Sequence, residues 1–200
     1  MSRTHLILAS ASPRRRALLD QLGVSYSCDP PHINEARRAG EDVARYVQRM
    51  AREKVLAVAA RYPTPAYAVL AADTSVEIDN TVLGKPRDRA DALDMLARLS
   101  GRSHAVLTAV CLHSATGLHG ELVTTGVQFI ALSRALCDAY LSTKEPWDKA
   151  GAYAIQGLGG AFVRSIQGSY SNVVGLPLCE TWQLLCANGI ATALTPSATS

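Results

Sequence analysis

The chain has 200 residues, of which 48% are hydrophobic and 18% charged, a balance that excludes collagen, coiled coil and wholesale disorder. That length holds one sizeable core or two thin lobes, but not two domains of average size. The formal net charge of +3 permits an anionic partner yet falls short of the basic footprint of a nucleic-acid binder. No apolar run reaches bilayer length, and Met1 to His5 shows no basic segment leading into a secretory hydrophobic core, so the expectation is a cytoplasmic protein without a membrane partner. Cys28, Cys111, Cys137, Cys179 and Cys186 are widely spaced with no C-x-x-C, which suggests neither zinc site nor disulfide framework and predicts buried thiols.

In chain order, His5 to Ala9 reads as an apolar strand, Pro13 to Leu22 as a helix stopped by Gly23, and Val43 to Ala60 as a longer helix ending before Pro63. Ala66 to Ala72 is a nearly continuous apolar run, and Val76 to Leu83 suggests a hairpin turning at Asp79-Asn80. Ala90 to Leu99 reads as a helix ended by Ser100-Gly101, Ala105 to Leu112 and Leu122 to Leu132 as strands, and the next segment as a short helix capped by Ser133. A glycine-rich stretch, a turn-rich connector from Gly168 to Pro177 and a final helix, Leu178 to Ala187, complete the chain. The alternation predicts an α/β or α+β sheet with helices packed on it. One domain over residues 1–194 is expected, with 195–200 as a flexible tail of small polar residues.

Ser10-Ala11-Ser12-Pro13-Arg14-Arg15-Arg16 follows a strand and opens a helix, with Ser12 suited to the N-cap and Pro13 to the first helical position. The free N–H groups and dipole of such a start favour an anion, and arginine forks match phosphate oxygens. Three cations at the positive end of a helix are locally unfavourable unless an anion neutralises them, although a solvated basic face is the plainer alternative. Helical spacing puts Arg15 over Leu18, Leu19 and Leu22, so Arg14 and Arg15 are stronger candidates than Arg16. Lys54 interrupts the stripe Val43, Tyr46, Val47, Met50, Ala57 and Val58; a lysine so placed ordinarily snorkels to water, unless a phosphate lies at that face.

The apolar run before Ala72 delivers Asp73 and Thr74, which makes Asp73 a general-base or metal candidate or else a turn-capping aspartate. Gly84-Lys85-Pro86 lacks the spacing and the following Ser/Thr of a Walker A loop, which leaves Lys85 as a generic cation. Gln156, among the glycines 151, 157, 159 and 160, carries an amide able to pair with a base edge, but the dinucleotide fingerprint fails at Phe162. The histidines show no metal-ligand spacing, and no G-x-S-x-G elbow supports serine-hydrolase chemistry.

Leu8-Ala9-Ser10-Ala11-Ser12-Pro13-Arg14-Arg15, Ala51-Arg52-Glu53-Lys54, Ala72-Asp73-Thr74, Gly84-Lys85-Pro86, Leu99-Ser100-Gly101-Arg102, Asp148-Lys149-Ala150-Gly151-Ala152-Tyr153 and Gly168-Ser169-Tyr170 occur in the order found in Maf-like nucleotide pyrophosphatases. The chain resembles that family over nearly its whole length. Ala154-Ile155-Gln156-Gly157 and Ser169-Tyr170-Ser171-Asn172 look like the branch acting on dTTP and UTP. The resemblance implies an elongated mixed sheet flanked by helices, with two lobes around a central cleft. It implies hydrolysis of these triphosphates, modified pyrimidine nucleotides among them, to the monophosphate and pyrophosphate with Mg²⁺ or Mn²⁺. Asp73 matches the proton acceptor. Arg14, Thr74 and Gln156 match specificity positions, and Ser10, Arg15, Glu35, Lys54 and Lys85 match polar cleft residues; Glu35 and Asp73 are the metal candidates. Asn34 stands where the family usually has Asp, and Lys144 where it usually has Gly. A homodimer is compatible with this reading. The alternatives from other classes are a non-catalytic nucleotide-binding regulator or interaction protein, and a nucleic-acid module, which the modest charge disfavours.

Overall fold

The computed structural model describes residues 4–195. Among the described residues seven strands hydrogen-bond in the order β2 (Tyr26–Cys28), β1 (His5–Leu8), β3 (Tyr67–Ile78), β5 (Ser103–Ser114), β6 (Gly117–Phe129) and β7 (Val163–Gln167), with β4 (Thr81–Leu83) added to β3, and helices flank them. The expected mixed α/β class is what the chain adopts. The contacts divide it into two compact units, Met1–Asp73 with Thr108–Leu122 and Gly175–Ser200, and Thr74–Leu107 with Val123–Val174. No helix among the described residues is long and apolar enough to cross a membrane.

In the first unit, β1 (His5–Leu8) is buried at Leu6, Ile7 and Leu8 and pairs in parallel with β2 (Tyr26–Cys28) on one side and β3 (Tyr67–Ile78) on the other. Burial on both faces is why this strand reads as a continuous apolar run. Helix α1 (Pro13–Gln21) begins as its sequence dictates, with Pro13 in its first turn and the Ser12 side chain accepting from the Arg15 N–H. It ends at Gly23, whose φ of 62° is the left-handed conformation that glycine adopts without strain. Helix α2 (Val43–Ala59) is capped by Asp42 and buries Val43, Val47, Met50, Ala51, Val55 and Val58, the stripe expected of its 3.6-residue period. Helix α6 (Leu178–Ala187) has the bounds its pattern predicts.

In the second unit, β3 turns into β4 (Thr81–Leu83) through Asp79 and Asn80, both at positive φ, the backbone of a tight antiparallel hairpin. Helix α3 (Arg89–Leu99) buries Ala92, Met95, Leu96 and Leu99. It shares a core with the second-unit parts of β5 (Ser103–Ser114) and β6 (Gly117–Phe129) and with α4 (Arg134–Leu141), whose N-cap is Ser133 as expected. His104, Phe129, Tyr140, Tyr153 and Phe162 meet edge to face in that core.

Four expectations need correction. The run to Ala72 and the strand from Val76 are one twelve-residue strand, β3, so Asp73 lies inside a strand and not at its end. The strand β2 and the exposed β7 (Val163–Gln167) carry too little apolar alternation to announce themselves. The connector after Gly168 contains a short helix, α5 (Tyr170–Val174). Only Cys111 and Cys137 are buried; Cys28, Cys179 and Cys186 are exposed. Of the expected tail, residues 196–200 lie outside the described residues, while Thr195 closes a turn onto Thr192.

Candidate functional site

The first unit concentrates charge where β1 and β3 run side by side. Ala9 N–H donates to Leu70 O at 2.8 Å, so the segment leaving β1 and the continuation of β3 toward Asp73 advance together. Ser10, 5% exposed, uses its Oγ to accept from the Ser12 N–H at 3.1 Å. That bond shapes the turn into α1 and sets the starting point of Arg14 and Arg15.

Lys54 does not snorkel. It is 7% exposed, and its Nζ donates to Asp73 Oδ1 at 2.7 Å and to Glu35 Oε2 at 2.9 Å. The Asp73 side chain is as buried as that of Lys54, whereas Glu35 is 56% exposed. A single ammonium therefore joins one carboxylate from within the sheet to a second from the loop before α2. Removing Lys54 strands the buried Asp73 carboxylate, which is the costly way to break such a pair.

Arg15 stands beside these groups. Its Nε donates to Gly175 O at 2.8 Å, which fixes the plane of the guanidinium. Desolvation dominates its electrostatics and lowers its pKa, Asp73 and Glu35 pull the other way, and Arg14 repels it. The three charge interactions put Arg14, Arg15, Glu35 and Asp73 within one electrostatic neighbourhood.

Three residues that the sequence reading passed over hold the Glu35 loop. Tyr46 donates its hydroxyl to Glu35 O at 2.9 Å; burial raises its pKa most, with Asp73 and Glu35 adding to the rise. Arg49 donates Nη2 to Ala36 O at 3.0 Å and grips both oxygens of Glu41 at 2.6 and 2.7 Å. Hydrogen bonding to Arg49 draws the Glu41 pKa down to about 2. The available signal was Tyr46 on the buried stripe and Arg49 four residues before Glu53, to which it is also paired.

Thr74, Lys85 and Gln156 belong to the second unit. Thr74 is half-buried in β3, Lys85 is exposed in the turn after β4, and Gln156 is exposed in the glycine-rich segment. Gly84 O, next to Lys85, accepts from Gly151 N at 3.0 Å.

Among the described residues no cluster of three or more His, Cys, Asp or Glu side chains is placed to enclose a metal. Two carboxylates sharing one ammonium nevertheless suit a hard divalent cation of the magnesium type, which takes one or two carboxylates and completes its shell with substrate phosphates and water. The donor set fits a metal that arrives with a polyphosphate. It does not fit an all-protein cage.

The first unit thus combines a cationic helix start, a buried Lys54-Asp73 pair joined to the exposed Glu35, and a parallel β-α-β frame. The profile of the Maf-like protein family matches residues 5–188, and the chain belongs to that family. It is 52% identical over 185 residues to the dTTP/UTP pyrophosphatase of Anaeromyxobacter sp. (strain Fw109-5), covering 90% of this chain and 87% of that one. It is also 52% identical over 192 residues to the dTTP/UTP pyrophosphatase of Shewanella sp. (strain MR-7), covering 93% and 99%. Among solved structures, the Ham1 protein of Staphylococcus aureus aligns with a TM-score of 0.42 at 11% identity, over 63% of this chain and 72% of that one, a likeness too slight to bear on the site.

Proposed function

We infer that the protein is a hydrolase of nucleoside triphosphates that cleaves dTTP and UTP to the monophosphate and pyrophosphate, acting in the cytoplasm as a single domain over residues 1–194. The observation that carries this reading is the Lys54 ammonium held between Asp73 and Glu35, beside Arg15 and Arg14. The relatives' names supply the substrate class.

In the reaction, a water attacks the α-phosphorus in line with the bond to the bridging oxygen of the β-phosphate. The new P–O bond forms as that bridging bond breaks, and the electron pair leaves with pyrophosphate. Asp73 accepts the water's proton, worth about 10²–10⁴-fold in rate. Lys54 aims Asp73 by holding Oδ1, so the carboxylate meets the water in one orientation. Arg14 and Arg15 offset charge on the phosphates, the latter in a fixed plane. Lys85 adds an exposed cation, and Thr74 and Gln156 select the nucleotide. Glu35 and Asp73 would hold Mg²⁺ or Mn²⁺, which when bound neutralises the phosphates and polarises the phosphorus under attack.

The test is a panel of nucleoside triphosphates with Mg²⁺ or Mn²⁺, with pyrophosphate and orthophosphate assayed separately. Pyrophosphate from dTTP and UTP, with little from purine triphosphates, is the expected result. Tight nucleotide binding without turnover would identify a regulator instead, and orthophosphate release would exclude attack at the α-phosphorus.

A further inference from the structure

Glu145 lies in the second unit, eleven residues before Gln156 in sequence, and takes no part in the chemistry described above. Its carboxylate accepts from the backbone N–H of Leu158 (Oε2, 2.9 Å) and of Gly159 (Oε1, 2.9 Å). Tyr140 donates its hydroxyl to Glu145 Oε1 at 2.9 Å and accepts from the Ala154 N–H at 3.2 Å. The tyrosine and the glutamate thus grip both ends of the segment Ala154–Gly159, with Gln156 at its exposed crest. At Gly157 a Cβ would fall inside the Glu145 carboxylate and push it off its donors, and at Gly159 it would press on Ala154 O and the Tyr140 hydroxyl at 2.9 Å. Burial raises the Glu145 pKa, but the two backbone donors and the tyrosine hydroxyl outweigh it, so the net shift is downward and the anion is the favoured form. An ionised carboxylate accepting three hydrogen bonds is a stiff anchor, since charge-assisted bonds are about twice as strong as neutral ones.

We propose that Glu145, braced by Tyr140, is a positioning residue for base selection: it fixes the backbone on either side of Gln156 so that the amide meets the pyrimidine edge in a single register. This rests on the reading of Gln156 as the selecting residue. Preorganisation matters here because discrimination by hydrogen bonds is lost when the donor and acceptor can tilt to suit another base.

The experiment measures kcat/KM for pyrophosphate release from dTTP, UTP, CTP and GTP by the full chain and by Glu145→Gln, together with amide hydrogen exchange over residues 154–160. The neutral amide presents a donor where a backbone N–H already donates. The ratio of dTTP to CTP turnover is expected to fall about tenfold, the order of one charge-assisted hydrogen bond, with faster exchange at Leu158 and Gly159. In a Gln156→Ala background the same change should shift the ratio less than about twofold, the mark of coupled residues. Should Glu145→Gln fail to fold, Tyr140→Phe makes the test, with a smaller shift in the same direction. An equal loss for all four nucleotides, or an unchanged ratio in the folded variant, overturns the proposal. Absence of pyrophosphate from every nucleotide with the unaltered chain overturns the parent reading and this one with it, whereas activity with retained selectivity in the variant overturns this one alone.

Discussion

Lys54 Nζ and Asp73 Oδ1 lie 2.7 Å apart in a pair whose side chains are both 9% exposed. A helix and a strand are thereby pinned by a charge contact between residues nineteen apart in the sequence. The pair has two functions at once, neutralising a buried charge and aiming the proposed proton acceptor.

Asp73→Asn separates these functions. The amide oxygen still accepts from Lys54, so the fold should persist with a lowered melting temperature, while the proton acceptor is gone. Pyrophosphate release should drop by about 10²–10⁴-fold. Turnover near the original rate in the folded variant would remove Asp73 from its assigned role.

Lys54→Met should be the more damaging change to stability. It takes from the buried Asp73 carboxylate its ammonium partner, at a cost of about 3–5 kcal/mol. Adding Glu35→Gln should recover part of that loss, because it removes one of the two like charges. Denaturant unfolding of the single and double variants checks both expectations, and a double variant no more stable than the single would show that the two carboxylates do not share Lys54 in solution.

Arg15→Lys retains charge and loses the fork. Without an Nε to donate to Gly175 O, the cation is free to rotate away from the phosphates, so KM for the triphosphate should rise roughly tenfold with a smaller change in kcat. A kcat loss at constant KM would instead place Arg15 in the transition state alone.

His104 supplies a pH dependence of stability. Burial lowers its pKa from 6.5 to about 4, and its Nε2 lies 2.8 Å from the Tyr153 hydroxyl. A folded-state pKa below the unfolded value means that the unfolded chain binds the proton more readily. The contribution of His104 is therefore complete above pH 6.5 and declines as pH falls toward about 4. Melting temperatures across that window should fall more steeply for the natural chain than for His104→Phe; parallel curves would show that His104 titrates normally.

The helices were legible because each carries its own local instructions. Ser12 and Pro13 start α1, Gly23 stops it, and the stripe through Met50 and Val58 defines α2. The hairpin at Asp79-Asn80 was equally local. Three-residue β2 was not, since Tyr26-Ser27-Cys28 owes its conformation to the neighbouring Leu6, Ile7 and Leu8 backbone and not to any pattern of its own. Within the site, the oddity of Lys54 could be seen from periodicity, but its partners could not. Glu35 and Asp73 reach it from nineteen residues before and after, by way of a loop and a strand. The clamp by Arg49 on Glu41 and Ala36 was equally hidden, because an arginine on the flank of a helix looks the same in sequence whether it meets water or a loop.

The bond from Arg15 to Gly175 spans 160 positions of the chain. During synthesis α1 leaves the ribosome long before Gly175 is made, so Arg15 waits for its acceptor while the intervening chain is added. A nascent fragment ending short of that glycine carries Arg15 without this acceptor, so the guanidinium takes up its observed orientation only once residue 175 has been made.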